Sequence, residues 1–331
     1  MTYTIDIPDW AVEIYSDFSD WERHSVKVSD VTQNGVWSFE LPNDAYFEYC
    51  FVDEQGKMRP DPNNDSKADS PWYPAARVIQ GPDYQAHSCL YPEKLDLSPL
   101  ERYKLDSIHL QPNLAESRRV MSYSPKGFEE KELPIVYVQD GVAYARAAQL
   151  PLVLETLLKG KKVKPAHFVF IEPQDRSIEY PYTVDYQQFV IEEVLPTMEE
   201  HLSFDGTRIA MGASLGGLVS GLLAWNYPEH FQTVVTQSGA FLGSPTNMDY
   251  YGATESWLLE QIQKHDADRF PNGLSWYVDC GNLEWLQPVN QDIAQALEAK
   301  GYQTKSHFRN AGHNWVNWRN GLADALIFAL K

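Results

Sequence analysis

Residues 208–218 read RIAMGASLGGL. A short apolar run leads into Gly212-Ala213-Ser214-Leu215-Gly216, and the apolar stretch LGGLVSGLLAWNYPEH (215–230) continues from it. The pattern predicts a buried strand that turns at Gly-x-Ser-x-Gly straight into a helix. In that context the turn is a nucleophile elbow. The serine sits on a strained corner, glycines stand where a Cβ would strike neighbouring backbone, and the helix points its positive end at developing oxyanion charge. The five letters alone also arise by chance in tight packing turns; the strand before and the helix after give them meaning.

Around this elbow, strand and helix patterns alternate. Apolar strands are predicted over 118–125, 132–141, 166–173, 208–214, 233–241, 275–281 and 303–310, with a further strand over 104–111. Helices are predicted over 145–160 with an interruption at Pro151, and over 184–201, 215–230, 254–265, 289–301 and 318–331. Near-continuous apolar strands alternating with helices mean a mostly parallel sheet covered on both faces. Residues 1–90 differ. VEIYSDF (12–18), GVWSFELP (35–42) and AYFEYCFVD (45–53) are short strands separated by turn residues, which predicts a small antiparallel β-sandwich. In 45–53, Tyr46, Glu48, Cys50 and Val52 fall on one face. Proline-rich 71–83 reads as a linker or a strand crossing between domains, and 91–114 as linker and first-strand region.

A serine needs a base. Of nine histidines, His313 stands out: it lies in NAGHNW, a loop between the last predicted strand and helix, 99 residues after Ser214. Serine, acid, histidine is one of the chain orders such triads adopt. Two carboxylates compete for the acid. Asp279 is still inside the strand SWYVDCG, and Glu284 is in the loop beyond its carboxyl end. Backbone N–H groups of Leu215 and of Gly141 or Val142, in the turn after VYVQD, are the candidate oxyanion donors. Trp285 and Trp315 flank the acid and the histidine and are candidates for an aromatic wall around substrate; Trp318 reads as packing.

These stretches carry a resemblance. VQDG (138–141), EPQDRSIEY (172–180), GASLGG (212–217), YPEHFQTVVTQSGAF (227–241), CGNLE (280–284) and AGHNWVNWRNGL (311–322) together resemble the Putative esterase group of α/β hydrolases, which includes enterochelin (enterobactin) esterases, feruloyl esterases and esterase D. The resemblance covers residues 115–331 and implies an α/β-hydrolase fold. It also implies that the acid lies three residues after the strand-ending glycine, at Glu284. The run from Arg176 to Glu179 is similar to one in enterochelin esterases, which makes Arg176 a substrate-binding candidate; its plain alternative is an ion pair that pins a loop. DFSDW (17–21), GVWSFELP, YFEYCFVDEQGK (46–57) and DPNN (61–64) resemble E-set, immunoglobulin-like modules. Trp21 falls on one glycan-stacking position of the glycogen-binding members, and Met58 stands where the second tryptophan belongs. Structural or substrate-covering use is therefore expected of this module rather than glycogen binding.

Composition narrows the partners. Lys and Arg number 27 against 46 Asp and Glu, a net charge of −19. So acidic a chain is a poor ligand for nucleic acid or anionic membrane. Cys50, Cys89 and Cys280 have no metal-site or disulfide spacing, and Asp61-x-Asn63-x-Asp65 departs from a calcium loop at Ser66 and Trp72. No cofactor or metal is called for. No signal peptide or membrane span is visible, which predicts a cytoplasmic location. The expected partner is a small ester. Siderophore tri-lactones suit the two-domain arrangement, provided Arg146, Arg176 or Arg319 offsets the acidic field. A feruloyl or acetyl ester of a carbohydrate is the alternative, and a non-catalytic carbohydrate-binding protein of the same fold is the rival from another class.

Overall fold

The computed structural model describes residues 1–87, 118–249, 252–271 and 273–331, with the backbone of 101–105. Most of the strand expected over 104–111, and of the linker expected over 91–114, lies outside the described residues. The described chain falls into two compact units. One comprises Met1–His87, Cys280–Gln287 and Phe308–Asn320; the other takes the rest.

The first unit contains β1 (Thr2–Asp6), β2 (Ala11–Ser16), β3 (Val26–Lys27), β4 (Thr32–Gln33), β5 (Val36–Glu40), β6 (Tyr46–Asp53), β7 (Met58–Arg59) and β8 (Arg77–Gln80). They form two antiparallel sheets. One is ordered β1-β5-β4; the other is β3-β2-β6-β7, with β8 also paired to β6. Residues 71–83 thus contribute a strand to the module itself, a correction to their reading as a linker: Arg77–Gln80 pair in register with Tyr46–Tyr49. The alternation expected along β6 is present, but both faces are buried. Phe47, Tyr49 and Phe51 enter a core with Ile14, Trp37 and Leu41. On the opposite face Cys50 packs with Trp21 and Ala76, and Tyr46 with Val78, Ala311 and Val316. Glu48, between them, is fully buried.

The second unit is built on an eight-stranded sheet. Its strands are β9 (Glu101–Leu105), β10 (Arg118–Tyr123), β11 (Leu133–Gln139), β12 (His167–Ile171), β13 (Phe204–Ala213), β14 (Thr233–Gln237), β15 (Ser275–Gly281) and β16 (Gln303–Arg309). The order is β16-β15-β14-β13-β11-β12-β10-β9. Pairs from β12 through β11, β13 and β14 to β15 are parallel, whereas β10 is antiparallel to both neighbours. Helix Leu215–Asn226 is apolar all round and buried from Leu215 to Trp225, as a helix without a polar face must be. Pro151 divides Gly141–Arg146 from Leu150–Lys159; it occupies the first turn of the second helix, where its missing N–H costs nothing. Pro196 instead lies inside a run that is helical without a break from Val184 to His201, directly after a π-helical turn over Val190–Val194. No helix among the described residues is long and apolar enough to cross a membrane.

Candidate active site

Ser214 terminates β13 with φ 55° and ψ −123°, a conformation that L-residues rarely adopt. Hydrogen bonds hold it there. Its N–H donates to the Gln237 carbonyl at 2.9 Å, and its own carbonyl accepts from Leu218 and Ala240 at 3.0 Å. The glycines of the motif are sterically required. A Cβ on Gly212 would lie 2.1 Å from the Gly216 carbonyl oxygen, and one on Gly216 would lie 2.8 Å from Asp140 Oδ2. The Leu215 N–H belongs to the first turn of helix Leu215–Asn226, where no intrahelical acceptor exists for it.

The turn after β11 holds the other expected donors, with Asp140 at φ 55°. The Val142 N–H is engaged: it donates to Glu172 Oε1 at 2.5 Å. Burial raises the Glu172 carboxyl, offset in part by this amide and by Arg119. Gly141 is then the better placed of the two candidates. Arg176 is committed as well. Its guanidinium meets both Asp140 oxygens, at 3.1 and 2.9 Å, and Asp140 N–H donates to Tyr180 Oη. Glu179 pairs with Arg118 at 2.6 Å, both buried. The run from Arg176 to Glu179 therefore ties down the segment after β12, with Nε and Nη2 of Arg176 spent on Asp140.

Glu284 and His313 belong to the first unit and come together in it. His313 Nδ1 lies 2.5 Å from Glu284 Oε2, and the other carboxylate oxygen accepts the Gly281 N–H at 2.7 Å. The Glu284 side chain is wholly buried and that of His313 is 15% exposed. The Trp318 ring stands edge-on to the imidazole, with centroids 5.0 Å apart. The Glu284 and His313 loops are cross-tied by N–H donation from Asn282 to the Arg309 carbonyl and from Leu283 to that of Ala311. Asp279 remains in β15, fully buried, with Gln237 Nε2 donating to its Oδ2 at 3.3 Å.

The expected aromatic wall divides. Trp315 is only 3% exposed and packs edge to face with Trp318 and Trp72. Such burial leaves its ring little surface for a ligand. Trp285 is half-buried and retains some. Trp21 is buried too, its ring stacked on Tyr73 at 3.9 Å and 4°, so neither face is open to a sugar. Sequence reasoning gave no role to Glu172, although it begins one of the stretches that carry the resemblance. It also missed Asp17, which opens DFSDW.

Comparison with known proteins supplies the context. The family model described as "Putative esterase" matches residues 112–329. Over 225 residues the chain is 29% identical to the iron(III) enterobactin esterase of Escherichia coli K12, covering 65% of this chain and 54% of that one. The chain thus spans about half the length of the curated relatives it matches. The crystal structure of ferric enterobactin esterase from Salmonella typhimurium superposes with a TM-score of 0.74 at 19% identity, over 99% of this chain and 92% of that one. A ferulic acid esterase structure gives 0.59 at 22% identity, over 70% of this chain and 97% of the other. At these identities the structural likeness establishes a shared fold.

Proposed function

The chain belongs to the Putative esterase family, and from that premise we propose that it is a serine esterase working through an acyl-enzyme, with Ser214 as nucleophile, His313 as base and Glu284 as the acid that orients it. The observation that carries this reading is Ser214 held at a left-handed φ between a parallel strand and a buried helix. Such strain persists only where the surrounding structure enforces it, and it clusters at active sites. The 2.5 Å contact between Glu284 and His313 Nδ1 supports the rest, because it fixes the tautomer that leaves Nε2 free to accept a proton.

In the proposed reaction Nε2 of His313 takes the Ser214 hydroxyl proton as Oγ attacks the ester carbonyl. The tetrahedral oxyanion accepts from the N–H groups of Leu215 and Gly141. The imidazolium, stabilised by Glu284, returns the proton to the departing alkoxide. Water repeats the sequence on the acyl-enzyme and releases the acid. No cofactor enters this scheme, and the expected location is cytoplasmic.

The substrate class proposed is a siderophore lactone of the enterobactin type. Its support is the enterobactin esterase activity of the relatives and the match of nearly the whole chain, N-terminal module included, to an esterase of that kind. We read that module as E-set or immunoglobulin-like. Purified protein is to be assayed by chromatography on enterobactin, a feruloyl sugar and p-nitrophenyl butyrate, beside Ser214→Ala. Turnover of the lactone and a kcat loss on the order of 10⁴ or more in Ser214→Ala are expected. Preference for the feruloyl sugar would reassign the substrate. Full activity in Ser214→Ala would overturn the mechanism, and no ester hydrolysis at all would favour a carbohydrate-binding role.

A further inference from the structure

The loop that carries His313 is held by the N-terminal β-module. Tyr46 N–H, at the start of β6, donates to the Asn310 carbonyl at 2.9 Å, and Tyr46 bridges to Ala311. Asn310 Nδ2 donates to Asp44 at 2.7 Å. Beyond these contacts lies Asp17, just past the end of β2 and 1% exposed. Its backbone N–H donates to the Glu48 carbonyl, and its Oδ2 accepts the Glu48 N–H at 2.7 Å, so the side chain is clamped to β6. Asn314, the neighbour of His313, directs Nδ2 at both Asp17 oxygens, at 3.4 and 3.2 Å. Gly312, the neighbour on the other side, lies against the same carboxyl; a Cβ there would fall 2.0 Å from Asp17 Cγ.

A carboxyl group buried this deeply is costly, and this one divides its oxygens between β6 and a loop more than 290 residues away in sequence. We propose that Asp17 is a positioning residue for the esterase reaction: it fixes the backbone on both sides of His313, through Asn314 and through close packing on Gly312, and so holds the imidazole to Glu284. The inference rests on His313 being the base. Asn314 passes the constraint on, since its Oδ1 accepts the Asn317 N–H at 2.9 Å, and Asn317 Nδ2 donates back to the Gly312 carbonyl at 3.0 Å. Burial raises the Asp17 carboxyl to about 7, offset by Glu48 N–H and Asn314. At neutral pH much of it is therefore uncharged, and what it supplies is shape and acceptor oxygens more than charge.

The test compares Asp17→Ala, Asp17→Asn and Asn314→Ala in the full chain. Readouts are kcat and KM on p-nitrophenyl butyrate, circular dichroism, and the downfield Nδ1 proton resonance of His313, identified by its absence in His313→Gln. Both alanine variants are expected to lose ten-fold or more in kcat with KM within two-fold, and to broaden or lose that resonance. Asp17→Asn keeps the shape and one acceptor, and is expected to stay within about three-fold of wild type. A folded Asp17→Ala with wild-type kcat and resonance would overturn the proposal, as would Asp17→Asn proving as damaged as Asp17→Ala. Should Asp17→Ala fail to fold, Asn314→Ala carries the same test from the loop side. Activity that survives Ser214→Ala would defeat the esterase reading instead, and the His313 resonance would still report on positioning.

Discussion

Asp279 and Glu284 stand five residues apart and are both buried, but their hydrogen-bond partners differ. Asp279 is inside a strand covered on both faces and accepts from Gln237, so its carboxylate is committed to the sheet. Glu284 lies past the strand, where one oxygen takes the Gly281 N–H and the other meets His313. In the proposed mechanism Glu284 stabilises an imidazolium; replacing it by Gln keeps the shape and removes that charge. kcat is expected to fall by roughly 10²–10⁴. Asp279→Asn is expected to lower the melting temperature and leave kcat of the folded protein within a few-fold. Steady-state kinetics beside thermal melts separate the two, and the reverse pattern would exchange the roles.

Among the strands of the first unit, β6 departs most from a simple period-two pattern. Its odd residues face the sandwich core, as alternation implies. Its even residues are buried as well, because Trp21, Ala76 and the 310–316 segment cover them. Trp21 belongs to that cover. Its stacking on Tyr73 and its near-total burial make it a packing residue. Trp21→Ala is expected to cost about 3–5 kcal/mol of stability, the usual loss for a large aromatic removed from a core. In native gels the wild-type chain should migrate equally with and without glycogen. Retardation by glycogen that vanishes in Trp21→Ala would show that the ring is available after all.

For the whole molecule, the buried acids of the first unit make stability depend on pH. Burial raises Asp17 to about 7 and pushes Glu48 well above the ordinary carboxylate range, each also raised by the other or by Glu284 nearby. His313 and Asn314 lower Asp17, and Tyr46 and Arg319 lower Glu48. In the unfolded chain both acids ionise near pH 4. From there upward the unfolded state releases protons that the native state keeps, so stability falls as pH rises towards 7. The contribution is complete below about pH 4 and lost above the folded values. Wild-type melting temperature is expected to decline between pH 5 and 8, and Asp17→Asn to decline less steeply. Parallel curves would show that Asp17 ionises in the native state as it does in the unfolded one.

Local pattern alone made the elbow legible. Gly212, Ser214 and Gly216 announce a tight turn, and the apolar strand before them and helix after them are short-range properties of the chain. The β-rich start, the strand–helix alternation after residue 115, and the loop positions of His313 and Glu284 were readable for the same reason. What escaped depends on contacts between distant segments. Alternation along β6 says which residues share a face; it cannot say that a loop near residue 311 covers that face. The prolines of 71–83 suggest a linker, yet four of its residues pair with β6 because that edge of the strand offers hydrogen-bonding partners. Trp315 has the composition of a ligand wall, and its burial against Trp72 is decided some 240 residues away. Asp17 looks like one acid among 46. Only the folded chain, by closing Glu48, Gly312 and Asn314 around it, takes it out of water and sets it beneath the histidine loop.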